Sequence, residues 1–156
     1  MPYLICFLIS MVPIIELRGA MVYAIVGAGL PELPALLVCV VGNMLPVPFI
    51  YFFARKVLQW GANKRYIGKF FRFCLVKGEH GGQRLVKKTG RGGLIVALML
   101  FVGIPLPGTG AWTGTLAASF LKMGIKSTTL AVSVGVVMAG VIMTLLSHFG
   151  LHIFGF

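Results

Sequence analysis

Two oppositely charged residues, Glu16 and Arg18, lie inside an apolar stretch near the start of the chain. Ionisable side chains at membrane depth are costly, so they usually pair or line a polar cavity. The two positions would diverge on a continuous helix, but both side chains can face one cavity if the chain turns beside Gly19. There Arg18 would hold an anionic group and Glu16 would carry a proton. The alternative is a structural pair that neutralises itself, or two charges near the surface.

A second candidate site is the run PLPGTGAWTG at residues 105–114. Its prolines and glycines free backbone groups that are tolerated at membrane depth only if they are buried in protein or face water. A helix that begins near Ala111 would point its amides at this turn, and helix N-termini favour anions. A purely structural elbow is the alternative. Hydroxyl and indole donors are added by Thr109, Trp112, Thr113 and Thr115.

A third break is predicted where Asn43 precedes Pro46 and Pro48. Asn43 would line the same cavity, or it would only cap the freed backbone. With Glu16 as the proton carrier, the predicted substrate-binding residues are Arg18, Gly19, Asn43, Gly108, Thr109, Gly110, Trp112 and Thr113.

Catalytic chemistry has no comparable pattern. The three histidines do not combine with cysteines or carboxylates at metal-ligand spacing, and there is no phosphate-binding loop of the P-loop type. The three cysteines are far apart in apolar settings, which favours core or lipid-facing roles over a disulfide framework. We therefore predict that the protein is not an enzyme and uses neither a metal nor another cofactor.

The surroundings of these residues are those of a membrane protein. Of the 156 residues, 58% are hydrophobic and 11% are charged, whereas soluble domains carry about 25% charged residues. The net charge is +11, and most basic residues lie between Arg55 and Arg91, between apolar blocks. This is the pattern of the positive-inside rule, so we expect this segment to be cytoplasmic and we do not expect nucleic-acid binding.

Two of the four apolar blocks are too interrupted to be simple spans. Each arm of residues 93–121 has about a dozen residues, or roughly 18 Å of helix, against about 30 Å of hydrocarbon. If this block crossed, Lys122 and Lys126 would face outside, so we predict a re-entrant hairpin. Residues 2–30 would form a hairpin from the opposite face.

The predicted fold is an all-α membrane domain of two inverted repeats, a design found in many transporters. Each repeat would be a re-entrant helical hairpin followed by a transmembrane helix. The segments are hairpin 2–30, span 34–54, a basic cytoplasmic amphipathic segment 55–92, hairpin 93–121 and span 127–149. Two unrelated broken helices are the alternative.

Two further patterns concern packing. In the basic segment, Ile67, Phe70, Phe71 and Cys74 follow helical spacing opposite cationic residues, which is typical of a helix lying on an anionic leaflet or covering the bundle. A flexible turn is predicted at residues 78–82. In the last block, small residues recur every four positions and permit close helix packing; they are Ala131, Gly135 and Ala139.

Three motifs together resemble the small multidrug export protein family: ELRGA at 16–20, GNMLPVP at 42–48 and PLPGTGAWTG at 105–114. That family is similar to the larger DedA (SNARE-associated, or VTT) superfamily. The resemblance implies paired re-entrant hairpins that meet in the membrane. It also implies transport in the cytoplasmic membrane of a prokaryote.

The resulting prediction is a proton-coupled transporter or flippase for an anionic amphiphile such as a polyprenyl-phosphate lipid carrier. The alternatives are proton-coupled export of lipophilic cations and a membrane scaffold that transports nothing. Membrane lipids are the expected partners, and a homodimer is expected because a monomer would have only two full spans.

Overall fold

A computed structural model describes residues 1–64, 68–106 and 108–154. Within these ranges the chain forms seven α-helices and no strand, which confirms the all-α prediction. A π-helical turn at Tyr23–Gly27 extends α2. The helices are α1 (Pro2–Met11), α2 (Glu16–Val22), α3 (Glu32–Met44), α4 (Pro46–Ala62), α5 (Gly68–Gly103), α6 (Ala111–Phe120) and α7 (Ile125–Phe154).

Two stretches of helix are long and apolar enough to cross a membrane. Helices α3 and α4 together cover the 31 residues Glu32–Ala62, whose most apolar 18-residue window has a mean hydropathy of 2.1. The corresponding window of Ile125–Gly150 in α7 has a mean hydropathy of 2.3. The first stretch is longer at both ends than the predicted span 34–54. The break predicted near Asn43 does not change the direction of the chain. The helical hydrogen-bond pattern is interrupted between α3 and α4, but Leu45 keeps helical angles of φ −60° and ψ −43°.

The outer faces of both stretches carry large apolar side chains. On α3, Leu33, Leu37 and Val41 are each about 60% exposed and recur at one helical spacing. Helix α7 shows the same pattern at Leu130, Val134, Val137, Val141 and Leu145. Soluble monomers rarely expose contiguous apolar surface of this size. The described surface therefore suits lipid contact.

Two short helices, which we call arms, pack beside these long stretches. Helix α1 has 10 residues, and so does α6, which gives each a length of about 15 Å, half the hydrocarbon thickness. Helix α1 turns into α2 at residues 12–15. Helix α5 changes direction at Gly90, where φ is 72° and ψ is 174°, and its second part turns into α6 at residues 104–110.

In each hairpin one helix packs on the long helix of its own half of the chain, and the other packs on the long helix of the opposite half. Helix α1 packs on α3 and the second part of α5 packs on α7, whereas α2 packs on α7 and α6 packs on α4. Small residues permit the closest contacts: a Cβ atom at Gly135 would lie 2.7 Å from the Met99 carbonyl oxygen. Ala131 and Ala139 beside it are buried as well. This stripe therefore packs within one chain.

The predicted turn at residues 78–82 is wrong, because α5 stays helical there and bends at Gly90. A glycine inside a helix costs about 1 kcal/mol relative to alanine without ending the helix. Phe70 and Phe73 of this basic segment are 67% and 58% exposed, which leaves an apolar face open. Of the predicted apolar set, Ile67 and the side chains of Phe71 and Cys74 lie outside the described part.

Candidate functional site

The turn between α1 and α2 contacts the turn between α5 and α6. We call residues 12–19 the first tip and residues 104–113 the second tip. Arg18 of the first tip reaches the backbone of the second: Nη1 donates to the Leu106 carbonyl oxygen and Nη2 to that of Ile104 at 3.2 Å. Nη2 also donates to Thr109 Oγ1 at 2.8 Å. The guanidinium thus binds the second tip directly.

Arg18 is held by neutral acceptors at the C-terminal end of a helix. Helix α5 ends at Gly103, and the last carbonyls of a helix carry a partial negative charge. The Thr109 hydroxyl accepts from Arg18, and its hydrogen can reach the carbonyl oxygens of Ile104 or Leu106, both at 2.9 Å. This threonine therefore links the cation to the loop that surrounds it.

Glu16 makes the matching contact with the start of α6. Its side chain is only 6% exposed, and its Oε1 accepts a hydrogen bond from the backbone N–H of Trp112 at 3.1 Å. Gly110 is the N-cap residue of α6, so the carboxylate lies where the helix presents unpaired N–H groups and partial positive charge. The anion-binding end predicted for α6 is thus occupied by a carboxylate of the chain itself.

Each charge complements one helix end of the opposite tip. Within the described ranges, no ion pair within 4.0 Å joins Glu16 to Arg18. The first tip therefore docks on the second through one anion and one cation, each satisfied by backbone.

Backbone conformation at the first tip is unusual. Ile14 has φ 79° and Glu16 has φ 50°, a left-handed region that residues with a side chain rarely adopt. Such positions cost about 1–3 kcal/mol each and persist only where surrounding structure enforces them, often at functional sites. The hydrogen bond between Glu16 and the start of α6 is one such constraint, because it holds Glu16 against the second tip.

Gly110 leaves the space that the Glu16 carboxylate fills. A Cβ atom at Gly110 would overlap that carboxylate, whereas a Cβ at Gly108 would meet nothing within 4 Å. Gly110 has φ 161°, which is extended backbone open to any residue. Gly108 has φ 84°, which favours glycine. Glycine is therefore required at position 110 by lack of space and favoured at position 108 by the backbone conformation.

Gly110→Ala is therefore expected to separate the two tips, while Gly108→Ala only strains the loop. We expect Gly110→Ala to lower the free energy of unfolding by about 2–4 kcal/mol, through overlap and loss of the buried Glu16 contact. Gly108→Ala should cost about 1 kcal/mol. Thermal unfolding of both purified variants checks this order, and equal losses would show that Glu16 does not occupy the space beside Gly110.

Other predicted site residues have different surroundings. Thr113 Oγ1 donates to the Gly110 carbonyl oxygen at 3.4 Å, and Gly19 lies in the first turn of α2 against Ile15. Asn43 is 2% exposed, and its Oδ1 has no hydrogen-bond partner among the described residues. The structure does not join Asn43 to either tip by a hydrogen bond.

Two contributors to the site were missed from sequence: the carbonyls of Ile104 and Leu106. Both lie just beyond Gly103, the last residue of α5, where the prolines at 105 and 107 prevent the helix from continuing and leave carbonyl groups that can accept from a side-chain donor. An arginine in another apolar block was the available signal for that donor. The described residues include no group of three or more His, Cys, Asp or Glu side chains that could hold a metal ion.

A tyrosine that sequence reasoning also missed positions the second hairpin. Tyr51 of α4 is 2% exposed, and its hydroxyl donates to the Met123 carbonyl oxygen beyond the end of α6. In return, Ser119 Oγ of α6 donates to the Tyr51 carbonyl oxygen at 3.2 Å. These bonds fix α6 against α4 and so determine where the second tip lies.

Comparison with known proteins gives one family. The model of the family described as "Putative small multi-drug export protein" matches residues 16–142, which is most of the chain and includes Glu16, Arg18 and the whole second tip. No curated protein and no solved structure matches the chain.

Proposed function

The chain belongs to the small multidrug export protein family, and on that premise we propose that it is a proton-coupled transporter of an anionic amphiphile. The family's description makes it a transporter in general. A polyprenyl-phosphate lipid carrier is the proposed type of substrate, because it joins an anionic group to an apolar tail. The proposed location is the cytoplasmic membrane of a prokaryote.

The observation that carries the proposal is the way Arg18 is held. Its partners are two carbonyl oxygens and a hydroxyl, none of which carries a full negative charge. A partly buried cation beside apolar surface is most stable opposite an anion, and arginine binds phosphate through two parallel hydrogen bonds. An anionic headgroup would therefore compete well with the carbonyls for the guanidinium.

Glu16 supplies a physical link between the proton and the substrate. While ionised, it occupies the N-terminus of α6 through Trp112 and repels an approaching anion. Protonation removes its charge and weakens that hydrogen bond. The α6 amides and Arg18 then favour an anion, so the proton and the substrate bind together. In this mechanism anion affinity rises as the pH falls.

Unpartnered polar atoms at the second tip support a ligand site. Trp112 Nε1 in the tip and Thr115 Oγ1 just after it are buried without a hydrogen-bond partner among the described residues. An unmet buried donor costs about 1–3 kcal/mol. A bound headgroup would offer acceptors to these donors once the tips separate.

We also propose that the two halves of the chain form an inverted repeat. The exchange of packing partners between the two halves supports it, as does the direct contact of two short-armed turns. The two hairpins are proposed to be re-entrant from opposite faces, with the basic segment 55–91 cytoplasmic. The relationship to the DedA superfamily and the homodimer remain predictions.

Cysteine labelling tests this topology. With the native cysteines replaced, Lys88→Cys and Lys122→Cys are expected to react with a membrane-impermeant maleimide from the same, cytoplasmic side. The reason is that a re-entrant hairpin returns both ends to one face. The exposed residue just before α3, changed as Pro31→Cys, is the control and should react from outside. Labelling of Lys88→Cys and Lys122→Cys from opposite sides would contradict the second hairpin.

Export of lipophilic cations is the second candidate, because the family's description names multidrug export. In that mechanism Glu16 would be the shared site of proton and drug, and Arg18 would be dispensable.

Reconstitution of the purified protein into proteoliposomes tests the proposed function. A fluorescent polyprenyl-phosphate analogue should move across the bilayer faster with protein than without, and faster still in a pH gradient.

A further inference from the structure

A separate cavity lies at the other end of the second hairpin. It has a volume of about 310 Å³ and opens between α5, just after its bend at Gly90, and the turn from α6 to α7. This is within the range of roughly 300–1,000 Å³ typical of small-molecule sites. Neither tip contributes to its lining.

The lining combines two cations with an apolar wall. Arg91 and Lys122 approach from the two sides of the hairpin, and Leu94, Ile95 and Leu121 supply apolar surface. Gly124 and Ser127 also line the cavity, at the start of α7. The first N–H groups of a helix add partial positive charge there. A ligand with an anionic head and an apolar tail matches this lining.

Lys122 adopts a backbone conformation that usually selects glycine. Its φ is 55°, and the hydrogen bonds from Met123 N to Ala118 O at 3.0 Å and from Lys122 N to Ser119 O at 3.3 Å close α6 in a Schellman motif. A lysine in this conformation is less stable than a glycine. Its cationic side chain lines the cavity, which gives a reason for lysine at a glycine position.

We propose that this cavity binds the phosphate of an anionic membrane lipid. The phosphate would lie between Arg91 and Lys122, with an acyl chain along Leu94 and Ile95. The neighbouring part of α5 carries Arg84, Lys87 and Lys88, and each basic residue near an anionic leaflet strengthens lipid attraction. Binding here is independent of the proposed transport, because the tips are not involved.

Native mass spectrometry of the full chain in detergent tests the site with dioleoylphosphatidylglycerol as the probe. Arg91→Gln and Lys122→Gly should each weaken the binding about fivefold. Glycine is the ordinary residue at the second position, so the fold is expected to be retained, and thermal unfolding verifies this. Lys126→Gln is the matched control, since Lys126 lies on the first turn of α7 outside the cavity, and it should bind as the wild type does.

Further measurements distinguish a lipid phosphate from free phosphate, and lipid binding at this cavity from the proposed transport. Dioleoylphosphatidylcholine and inorganic phosphate should both bind more weakly than phosphatidylglycerol, because the first carries a compensating cation and the second lacks an apolar tail. Arg18→Ala should leave binding at this cavity intact even if transport is lost. Equal binding by the wild type and the double variant Arg91→Gln/Lys122→Gly would overturn the proposal. Equal binding of phosphatidylcholine, or of inorganic phosphate, would overturn it too.

Discussion

Arg18→Ala is expected to abolish movement of the anionic amphiphile in proteoliposomes. The change removes the cation proposed to bind the headgroup. Charge-assisted hydrogen bonds contribute about 1.5–3 kcal/mol each, so losing a two-bond contact corresponds to at least about 100-fold weaker binding. The free energy of unfolding should also fall, by about 1.5–3 kcal/mol, because the charge-assisted hydrogen bonds between the two tips are lost, although the carbonyl oxygens of Ile104 and Leu106 keep backbone donors.

Arg18→Lys distinguishes loss of function from loss of fold. Lysine keeps the positive charge but is a single point charge without the planar fork of arginine. We expect it to restore much of the thermal stability and to recover only part of the flux. Full flux in Arg18→Ala, measured on protein with an unchanged oligomeric state in detergent, would contradict the proposed anion site.

Glu16→Gln is expected to make anion binding independent of pH and to remove the proton drive. Glutamine keeps an oxygen that can accept the hydrogen bond from the Trp112 N–H, but it cannot be charged or exchange a proton. In the wild type, anion affinity should increase as the pH is lowered. In the variant it should stay at the high value reached by protonated Glu16, while flux driven by a pH gradient falls at least tenfold.

The control for this prediction is a carboxylate outside the tips. Glu32 is about half exposed and lies 3.0 Å from His148 Nδ1, near the ends of the two long helices. Glu32→Gln should leave both the pH dependence and the flux near wild-type values. An unchanged pH dependence in Glu16→Gln would show that another group carries the proton.

Local patterns in the sequence predicted several elements correctly. The helix expected near Ala111 begins at that residue, and the small-residue stripe around Gly135 packs against α5. These features depend on short-range chemistry: where a helix can begin, and how closely two backbones can approach. The spacing of residues along the chain carries that information directly.

The contact between the tips could not be predicted in the same way. Arg18 and Leu106 are separated by 88 positions, and the acceptors are backbone carbonyls, which every residue possesses. Sequence reasoning identified both tips and the need for partners, but the pairing depends on how the arms pack on α4 and α7. That packing results from many weak contacts of burial and shape.

The bends of the chain show the same limit. Prolines at positions 46 and 48 predicted a break, yet Leu45 stays helical. Both prolines lie in the first turn of α4, where N–H groups have no partner within the helix and proline costs little. Gly90 bends α5, whereas the helix continues through residues 78–82. A glycine permits a bend, and tertiary packing decides whether the bend forms.

Comparison of two probes in the same proteoliposomes tests the central claim most directly. One probe is a fluorescent polyprenyl-phosphate analogue and the other is a lipophilic cation, each followed with and without an imposed pH gradient. The proposed mechanism predicts that wild-type protein accelerates the anion at least tenfold in the gradient and leaves the cation at the rate of protein-free vesicles. Acceleration of the cation alone would contradict the anion mechanism and favour drug export. Acceleration of neither probe by folded protein would contradict transport of both kinds and favour a scaffold.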